Sequence, residues 1–271
     1  MVALHARRSF AAIEQFQRLH PEKPLIVALT GTDLYGDIKT STEAQQSLEW
    51  ATRLILLQPK GIEELPQHLR AKAHVIYQSV VGPKSPPPKP KTTFDVCVLG
   101  HLRDVKDPFR AALASRLLPD TSRVRVLHVG KALSEDMAAT AAAEALANPR
   151  YRWLGELPRW QARRVLARSH ILVLSSKMEG GANVISEALA VPVPVLASNI
   201  SGSIGLLGED YPGYFPLGDT QALAQLLAKA EQDIEFYHEL TDRCRQRAPI
   251  VHPDREREAW RELLRIACMP H

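Results

Sequence analysis

The sequence predicts an α/β protein built on parallel sheets, in two unequal parts. Three observations carry this. Short apolar runs alternate with helical segments along almost the whole chain, the rhythm of strands joined by helical crossovers. The rhythm breaks once, at GPKSPPPKPK, residues 82–91. That stretch is too dense in proline for a helix or a central strand, and reads as a stiff linker ahead of a protein-binding proline motif. Finally, ILVLSSKMEGGANVISEALAVPVPVLAS, residues 171–198, reads as buried strand, polar glycine loop, helix, buried strand.

Before the linker, MVALHARRSFAAIEQFQRLH is a strand running into a helix. PLIVALTG (24–31) is a buried strand ending in a glycine loop, and EAQQSLEWATRL (43–54) a helix capped by Ser41 or Thr42. LILLQ (54–58) and HVIYQS (74–79) are further strands. After the linker come a strand at 94–100, a helix at 106–117, a strand at 124–130 and a helix at 134–147. Ser134 caps that helix, with Glu135 and Asp136 in its first turn. YRWLG is a short strand, PRWQARRVLARS a helix, and two or three more helices follow residue 198. The second part is therefore a doubly wound sheet of about five or six strands. The final helix, 254–267, starts just after Pro253, and Ala259, Leu263, Ile266 and Ala267 form one apolar stripe. It is long enough to cross back onto the first part.

The chain has 271 residues, 45% hydrophobic and 24% charged, ordinary globular composition. Thirty-four basic against 30 acidic residues give a net charge of +4, which suits an anionic small molecule. Only 6% of residues are aromatic and they do not interleave with basic blocks, so no nucleic-acid partner is expected. Cys97, Cys244 and Cys268 are widely spaced and odd in number, which argues against a disulfide framework and for a reducing compartment. No apolar run approaches the ~20 residues that span a bilayer, and no signal-peptide pattern opens the chain. The expectation is a cytoplasmic protein with small-molecule substrates and no membrane partner; the sequence leaves its oligomeric state open.

In a doubly wound sheet ligands bind beyond the carboxyl ends of the strands. The loops after Gly100, Gly130, Gly155 and Ser176 are thus the places to search. In the last of them Glu179 precedes Gly180 and Gly181, and Glu187 follows eight positions later, about two turns into the helix. The glycines let a ligand approach the backbone, and the helix start, Ala182 and Asn183, points free N–H groups at it. Asn183 lies one turn before Glu187 on the same face. Carboxylates so placed accept hydrogen bonds from sugar hydroxyls; an acid–base pair of a glycosidase and a solvated surface pair are the rival readings. In GHLRDVKDP (100–108) the cations Arg103 and Lys106 stand at a strand's carboxyl end, placed to neutralise a diphosphate or else simply solvated. A phosphate beside sugar hydroxyls describes a sugar nucleotide. In TGTDLYGD (30–37), Thr30, Gly31 and Thr32 offer donors for a small anion, while Asp33 reads as a helix cap ahead of a base. His5 and Arg7 follow the first strand and could face the same cleft, or be structural. The arginines at 159, 163, 164 and 168 read as a solvated helix face. No His/Cys/Asp cluster has metal spacing, and there is neither a nucleophile elbow nor a phosphate-binding Walker loop.

The strand–SSKMEGGANVISEALAVPVPVLAS pattern resembles the donor-site signature of GT-B glycosyltransferases of the retaining, sucrose-synthase-like group. The resemblance implies two Rossmann-like domains facing a cleft. It implies that Glu179 meets the hydroxyls of the transferred sugar, Glu187 holds the nucleotide ribose, Gly180 and Gly181 line sugar and diphosphate, and Lys106 holds the diphosphate. The family's arginine one residue after the loop glycine Gly100 is His101 here, with Arg103 as the substitute cation. The small-residue turn before the next strand, commonly Ala-Gly, is Val191-Pro192. The runs VALTGTDLYGDI, VLGHLRDVKDPFRAAL, YRWLGELP and GLLGEDYPGYFPLGD narrow the resemblance to the selenosugar synthases of selenoneine biosynthesis. That subgroup implies transfer from a UDP-sugar such as UDP-N-acetylglucosamine to selenophosphate, without a metal or other cofactor. A hydroxyl acceptor, and a non-catalytic nucleotide-sugar-binding or interaction protein, are the alternatives. The implied division is an acceptor-side domain at 1–81, a linker at 82–92, a UDP-sugar-binding domain at 93–252 and a C-terminal helix at 253–271. The chain starts at what resembles the second or third strand of the acceptor-side domain, so that domain is expected to be incomplete.

Overall fold

The computed structural model describes residues 1–83, 85 and 87–268; Lys84 and Pro86 of the proline stretch, and the last three residues, lie outside them. Two wholly parallel sheets organise the chain. The first has strands β1 (Val2–Leu4), β2 (Ile26–Ala28), β3 (Arg53–Leu56) and β4 (Ala73–Val75) in sequential order. Helix α1 (Phe10–Leu19) joins β1 to β2. A π-helical turn (Asp33–Asp37), one turn of helix α2 (Ile38–Thr40) and α3 (Thr42–Trp50) join β2 to β3. Ser41 caps α3, its hydroxyl accepting from the Ala44 N–H.

Right-handed crossovers between strands laid down in sequence put every connection on one face of a sheet. That face is packed by Ala3, Val27, Leu29, Leu54 and Leu56 against Ile13 of α1 and Ala44 and Leu48 of α3. Side chains of a strand alternate between faces, so Ile26, Ala28 and Ile55 point the other way. They are covered by the terminal helix α11 (Pro253–Ala267), through Leu263, Ala267, Ala259 and Trp260.

The second sheet contains β5 (Phe94–Leu99), β6 (Val124–Val129), β7 (Tyr151–Trp153), β8 (Ile171–Leu174), β9 (Val195–Ser198) and β10 (Tyr214–Phe215). Its order is β10-β9-β8-β5-β6-β7. The order reverses between β5 and β8, which pair through Val96–Ile171 and Cys97–Leu172. This is the switch point at which a doubly wound sheet opens a crevice. Helices α4 (Arg110–Arg116), α5 (Glu135–Ala147), α6 (Arg159–Arg168), α7 (Asn183–Ala190), α8 (Ser201–Leu207), α9 (Thr220–Gln232) and α10 (Ile234–Arg247) surround it. Ser134 caps α5, Asp219 caps α9 and Asp233 caps α10, each through its side-chain oxygen. Cys97 and Cys244 are buried in this core.

Four expectations are corrected. Helix α4 starts at Arg110, not at residue 106. Pro108 disfavours a helical residue before it, and Asp107 sits in the left-handed region at φ 45°, so Lys106 belongs to a 3-10 turn, Asp104–Lys106. Strand β3 stops at Leu56 because Gln58 leaves it to accept from the Lys60 N–H. Strand β4 ends at Val75, and the chain then crosses to the second half, where the Val80 N–H bonds the Val251 carbonyl and the Ser79 N–H the Glu256 carboxylate. Lastly, Asp33 is not a helix cap. Fully buried, it accepts from the Thr30 N–H and hydroxyl and from the Ala6 N–H, tying the loop after β2 to the turn after β1.

Candidate functional site

The crevice at the β5/β8 reversal is walled by the two loops that leave those strands. They are zipped together: the Lys177 N–H donates to Val105 O at 2.8 Å and the Ser175 hydroxyl to Asp107 O at 2.8 Å. The zipper carries Lys106 to Glu179, with Nζ 2.5 Å from Oε1. The Ser176 hydroxyl donates to the same carboxylate oxygen at 2.6 Å. The Glu179 side chain is only 10% exposed and that of Lys106 24%. The cation and the hydroxyl donor together satisfy a carboxylate that is largely withdrawn from water. Ser176 is a residue that sequence reasoning missed as a partner of the site; its place two residues past β8 and three before Glu179 is the signal that was there.

Behind the crevice His128 on β6 is fully buried. One ring nitrogen meets the Tyr151 hydroxyl at 3.0 Å and the other the Gly100 carbonyl at 3.2 Å. Burial lowers its pKa to about 4, so the ring is neutral. Gly130 lies flush beneath the same peptide: a Cβ there would fall 1.9 Å from Gly100 O. The Gly100–His101 peptide is thereby fixed from below. His101 is itself exposed and accepts from the Lys131 N–H, so its side chain is turned to the next loop.

Helix α7 opens at Asn183 behind Ala182, which offers no side-chain cap. Its first N–H groups therefore keep their partial positive charge for a ligand. Glu187, four residues on, does not stand alone. Arg163 Nε lies 3.0 Å from its Oε1 and Arg159 Nη2 3.6 Å. This corrects the solvated-face reading of the α6 arginines: residues 159 and 163, four apart on one helix face, both turn to Glu187.

A cavity of about 330 Å³ lies between the two sheets. It brings together Thr30, Gly31 and Thr32 with Arg103, Glu179, Gly180 and Gly181. Arg8, Leu57, Gln78, Val105 and Met178 also line it and were not singled out from sequence. The lack of side chains at Gly180 and Gly181 has a cause that the sequence did not suggest. A Cβ at Gly180 would fall 2.1 Å from Thr30 O, and one at Gly181 2.5 Å from the Leu57 side chain. Close approach of the two halves requires glycine there, and both residues also line the cavity. Within the second half, Gly202 lies flush beneath Glu179, whose carbonyl oxygen would lie 2.1 Å from an added Cβ.

Three first-half candidates need correction. Thr30 commits both N–H and hydroxyl to Asp33, so neither donor faces the cavity unpartnered. The Thr32 hydroxyl is shared with His5 Nε2 at 3.0 Å. His5 is buried outside the cavity lining, 3.8 Å from Asp33 and 3.7 Å from Asp37. Ala182 and Asn183 are likewise not cavity walls. Among the described residues no group of three or more His, Cys, Asp or Glu is placed to hold a metal ion, and no helix is long and apolar enough to cross a membrane.

Comparison with known proteins places this geometry. The family model described as "Glycosyl transferases group 1" matches residues 84–248, more than half of the chain. TuaC of Bacillus subtilis (strain 168), whose name provisionally makes it a glycosyltransferase of teichuronic acid biosynthesis, is 32% identical over 88 residues. Those residues are 32% of this chain and 23% of that protein, so the match spans under a quarter of the curated relative. HepE of Anabaena, crystallised with UDP and glucose, superposes with a TM-score of 0.77 at 18% identity, over 97% of this chain and 78% of that one. The pneumococcal O-GlcNAc transferase GtfA, with UDP and GlcNAc, gives 0.76 at 14% identity, over 99% and 57%. The sucrose-phosphate synthase of Thermosynechococcus elongatus gives 0.76 at 16%, over 98% and 72%. At these identities the structural likeness is one of fold: two parallel α/β sheets of the GT-B kind.

Proposed function

The chain belongs to the group 1 glycosyl transferases, and on that premise we propose that it transfers a sugar from a UDP-sugar, such as UDP-N-acetylglucosamine, to selenophosphate. The observation that carries the donor half is the convergence of Lys106, Glu179 and the uncapped start of α7 on one switch-point crevice. In this reading residues 93–252 hold the donor and residues 1–81 face the acceptor. Glu179 accepts from hydroxyls of the transferred sugar. Lys106, Arg103 and the α7 N–H groups stabilise the diphosphate as it leaves, a positive field fixed in place before charge develops. Glu187 takes the ribose hydroxyls, its position set by Arg163.

In the transfer the bond between the sugar's anomeric carbon and the diphosphate oxygen breaks, and its electron pair leaves on UDP. A selenium lone pair of selenophosphate forms the new C–Se bond. Water then attacks phosphorus, the P–Se bond breaks with its pair on selenium, and phosphate and the selenol result. Selenium of this acceptor is already nucleophilic, so no side-chain base is required. The selenium acceptor is supported by the sequence runs around the site. A hydroxyl acceptor is the second reading, favoured by the likeness to TuaC.

The test is incubation with UDP-N-acetylglucosamine and selenophosphate, following UDP and a selenium-bearing sugar by mass. UDP release with hydroxyl acceptors but none with selenophosphate overturns the selenium reading and leaves glycosyl transfer. Failure to bind UDP at all overturns both and favours a non-catalytic role. Glu187→Ala is expected to weaken UDP binding about tenfold by calorimetry, the loss of one charge-assisted hydrogen-bonding partner; unchanged affinity removes the ribose from its assignment.

A further inference from the structure

Two guanidinium groups face this cavity from opposite halves. Arg103 stands on the loop after β5, Arg8 on the turn after β1. Neither has a carboxylate partner among the described residues, whereas the neighbouring cations do: Arg7 meets Asp37 at 3.3 Å and Lys106 meets Glu179. Unlike-charged partners were thus supplied to the cations beside the cavity and not to these two.

The turn that presents Arg8 is built at a cost. His5 holds φ at 74°, a left-handed conformation that only one other non-glycine residue among those described adopts. That other residue is Asp107, next to Lys106, whose ammonium is paired with the cavity-lining Glu179. Such a conformation is disfavoured for a residue with a Cβ and persists only where its surroundings over-determine it. Here they do. The His5 N–H donates to Ala28 O and the Ala6 N–H to buried Asp33; the Ser47 hydroxyl donates to Ala6 O, and the Arg8 N–H meets His5 Nδ1 at 3.3 Å. Every polar backbone group named fixes the direction in which the chain leaves β1, and what it delivers to the cavity is Arg8.

We infer that Arg8 is the specificity-determining residue for an oxyanion acceptor, held in the first half's wall of the cavity opposite the donor diphosphate. This rests on the donor reading above and deepens it. Arg103 is on the donor's own loop and is taken up by the diphosphate; Arg8 is left for a second anion. A guanidinium fork matches phosphate-type and carboxylate oxyanions alike, through two parallel N–H bonds. The correction at Thr30 and Thr32 points the same way, since their hydroxyls are already engaged and the unpaired cation that the first half contributes to this cavity is Arg8.

The test uses calorimetry with UDP, orthophosphate and acetate. UDP is first titrated into the wild-type chain; no binding there overturns the donor reading and is scored separately. Orthophosphate is then titrated with and without saturating UDP. The expected result is phosphate binding in the UDP-saturated protein, weakened about ten- to a hundredfold in Arg8→Gln and less so in Arg8→Lys, which keeps the charge but loses the fork, with UDP affinity unchanged in both. In the absence of UDP, Arg103→Gln is expected to leave a phosphate site that Arg8→Gln removes. Phosphate bound equally by wild type and Arg8→Gln, or bound by neither with or without UDP, overturns the inference. Acetate in place of phosphate decides between the two oxyanions: competition at equal concentration assigns a carboxylate acceptor, and its absence a phosphate-type one.

Discussion

The two sheets meet one cavity by different means. In the second sheet the strand order reverses between β5 and β8, and the crevice is a consequence of topology. Any loops leaving those strands would wall it; the chain needed only to place Lys106, Ser176 and Glu179 on them. The first sheet has sequential order and no reversal, so its topology opens no crevice. Its approach to the cavity depends on specific polar contacts, a strained His5 and a buried Asp33, and one of its faces is closed only by a helix from the far end of the chain. A site made by topology is robust and recognisable. A site made by a local hub is specific and hard to see in advance.

The largest effect expected from breaking this contrast is catalytic and lies in the second half. Lys106→Ala removes the cation that the proposed function sets against the diphosphate and leaves Glu179, 10% exposed, with the Ser176 hydroxyl alone as its partner. A fall in kcat of about 10²–10³ is expected, the usual loss for one preorganised charge-stabilising donor, with the fold intact by circular dichroism. A fall of less than about fivefold would shift the stabilisation to Arg103 and the α7 terminus.

Next comes acid stability. His128 titrates near 4 in the folded chain because burial opposes its charge, and near 6.5 when unfolded. The unfolded chain therefore binds the extra proton first. Stability is full above about pH 6.5 and falls as the pH drops through 4, by about 3 kcal/mol at most for this ring. Burial lowers His74 and His170 in the same direction, so the wild-type curve contains their share. Urea midpoints across that range should fall steeply in the wild type and less so in His128→Asn. Equal slopes would show that the ring does not hold the Gly100 peptide in its neutral form.

The smallest effect tests the seam between the halves. Gly180→Ala sets a methyl against the Thr30 backbone. Neither side is a flexible side chain, so the halves must part, at a cost of about 1–3 kcal/mol. A lower melting temperature and a larger radius of gyration by solution scattering are expected. An unchanged radius would mean that the loop, not the seam, gives way.

Much of this was legible in the sequence. The alternation of strands and helices, the break at the prolines and the order strand–glycine loop–helix around Glu179 are local patterns, and local propensities dictate them. Lys106 and Glu179 were each singled out because both follow a strand, the one position where sequence order predicts a shared crevice. The misses have a common cause. Asp33 looked like a cap because capping is what an aspartate does with its neighbours along the chain; its Ala6 partner lies 27 positions away. The α6 arginines looked solvated because Glu187, 24 residues on from Arg163, is brought beside them only by packing of α6 on α7. The pressure of the first half on Gly180 and Gly181 went unseen because nothing local tells which residues will press on them.

By itself, then, the sequence determined what is set by short-range chemistry: the fold class, a cap at Ser41 or Thr42 and one at Ser134, and the residue types that suit a sugar nucleotide. The tertiary structure alone decided which cations remain unpaired. Whether Arg8 or Arg7, Arg103 or Arg163, finds a carboxylate depends on side chains tens of residues apart, and ion pairing at a few ångströms is fixed only once the two sheets have closed on each other.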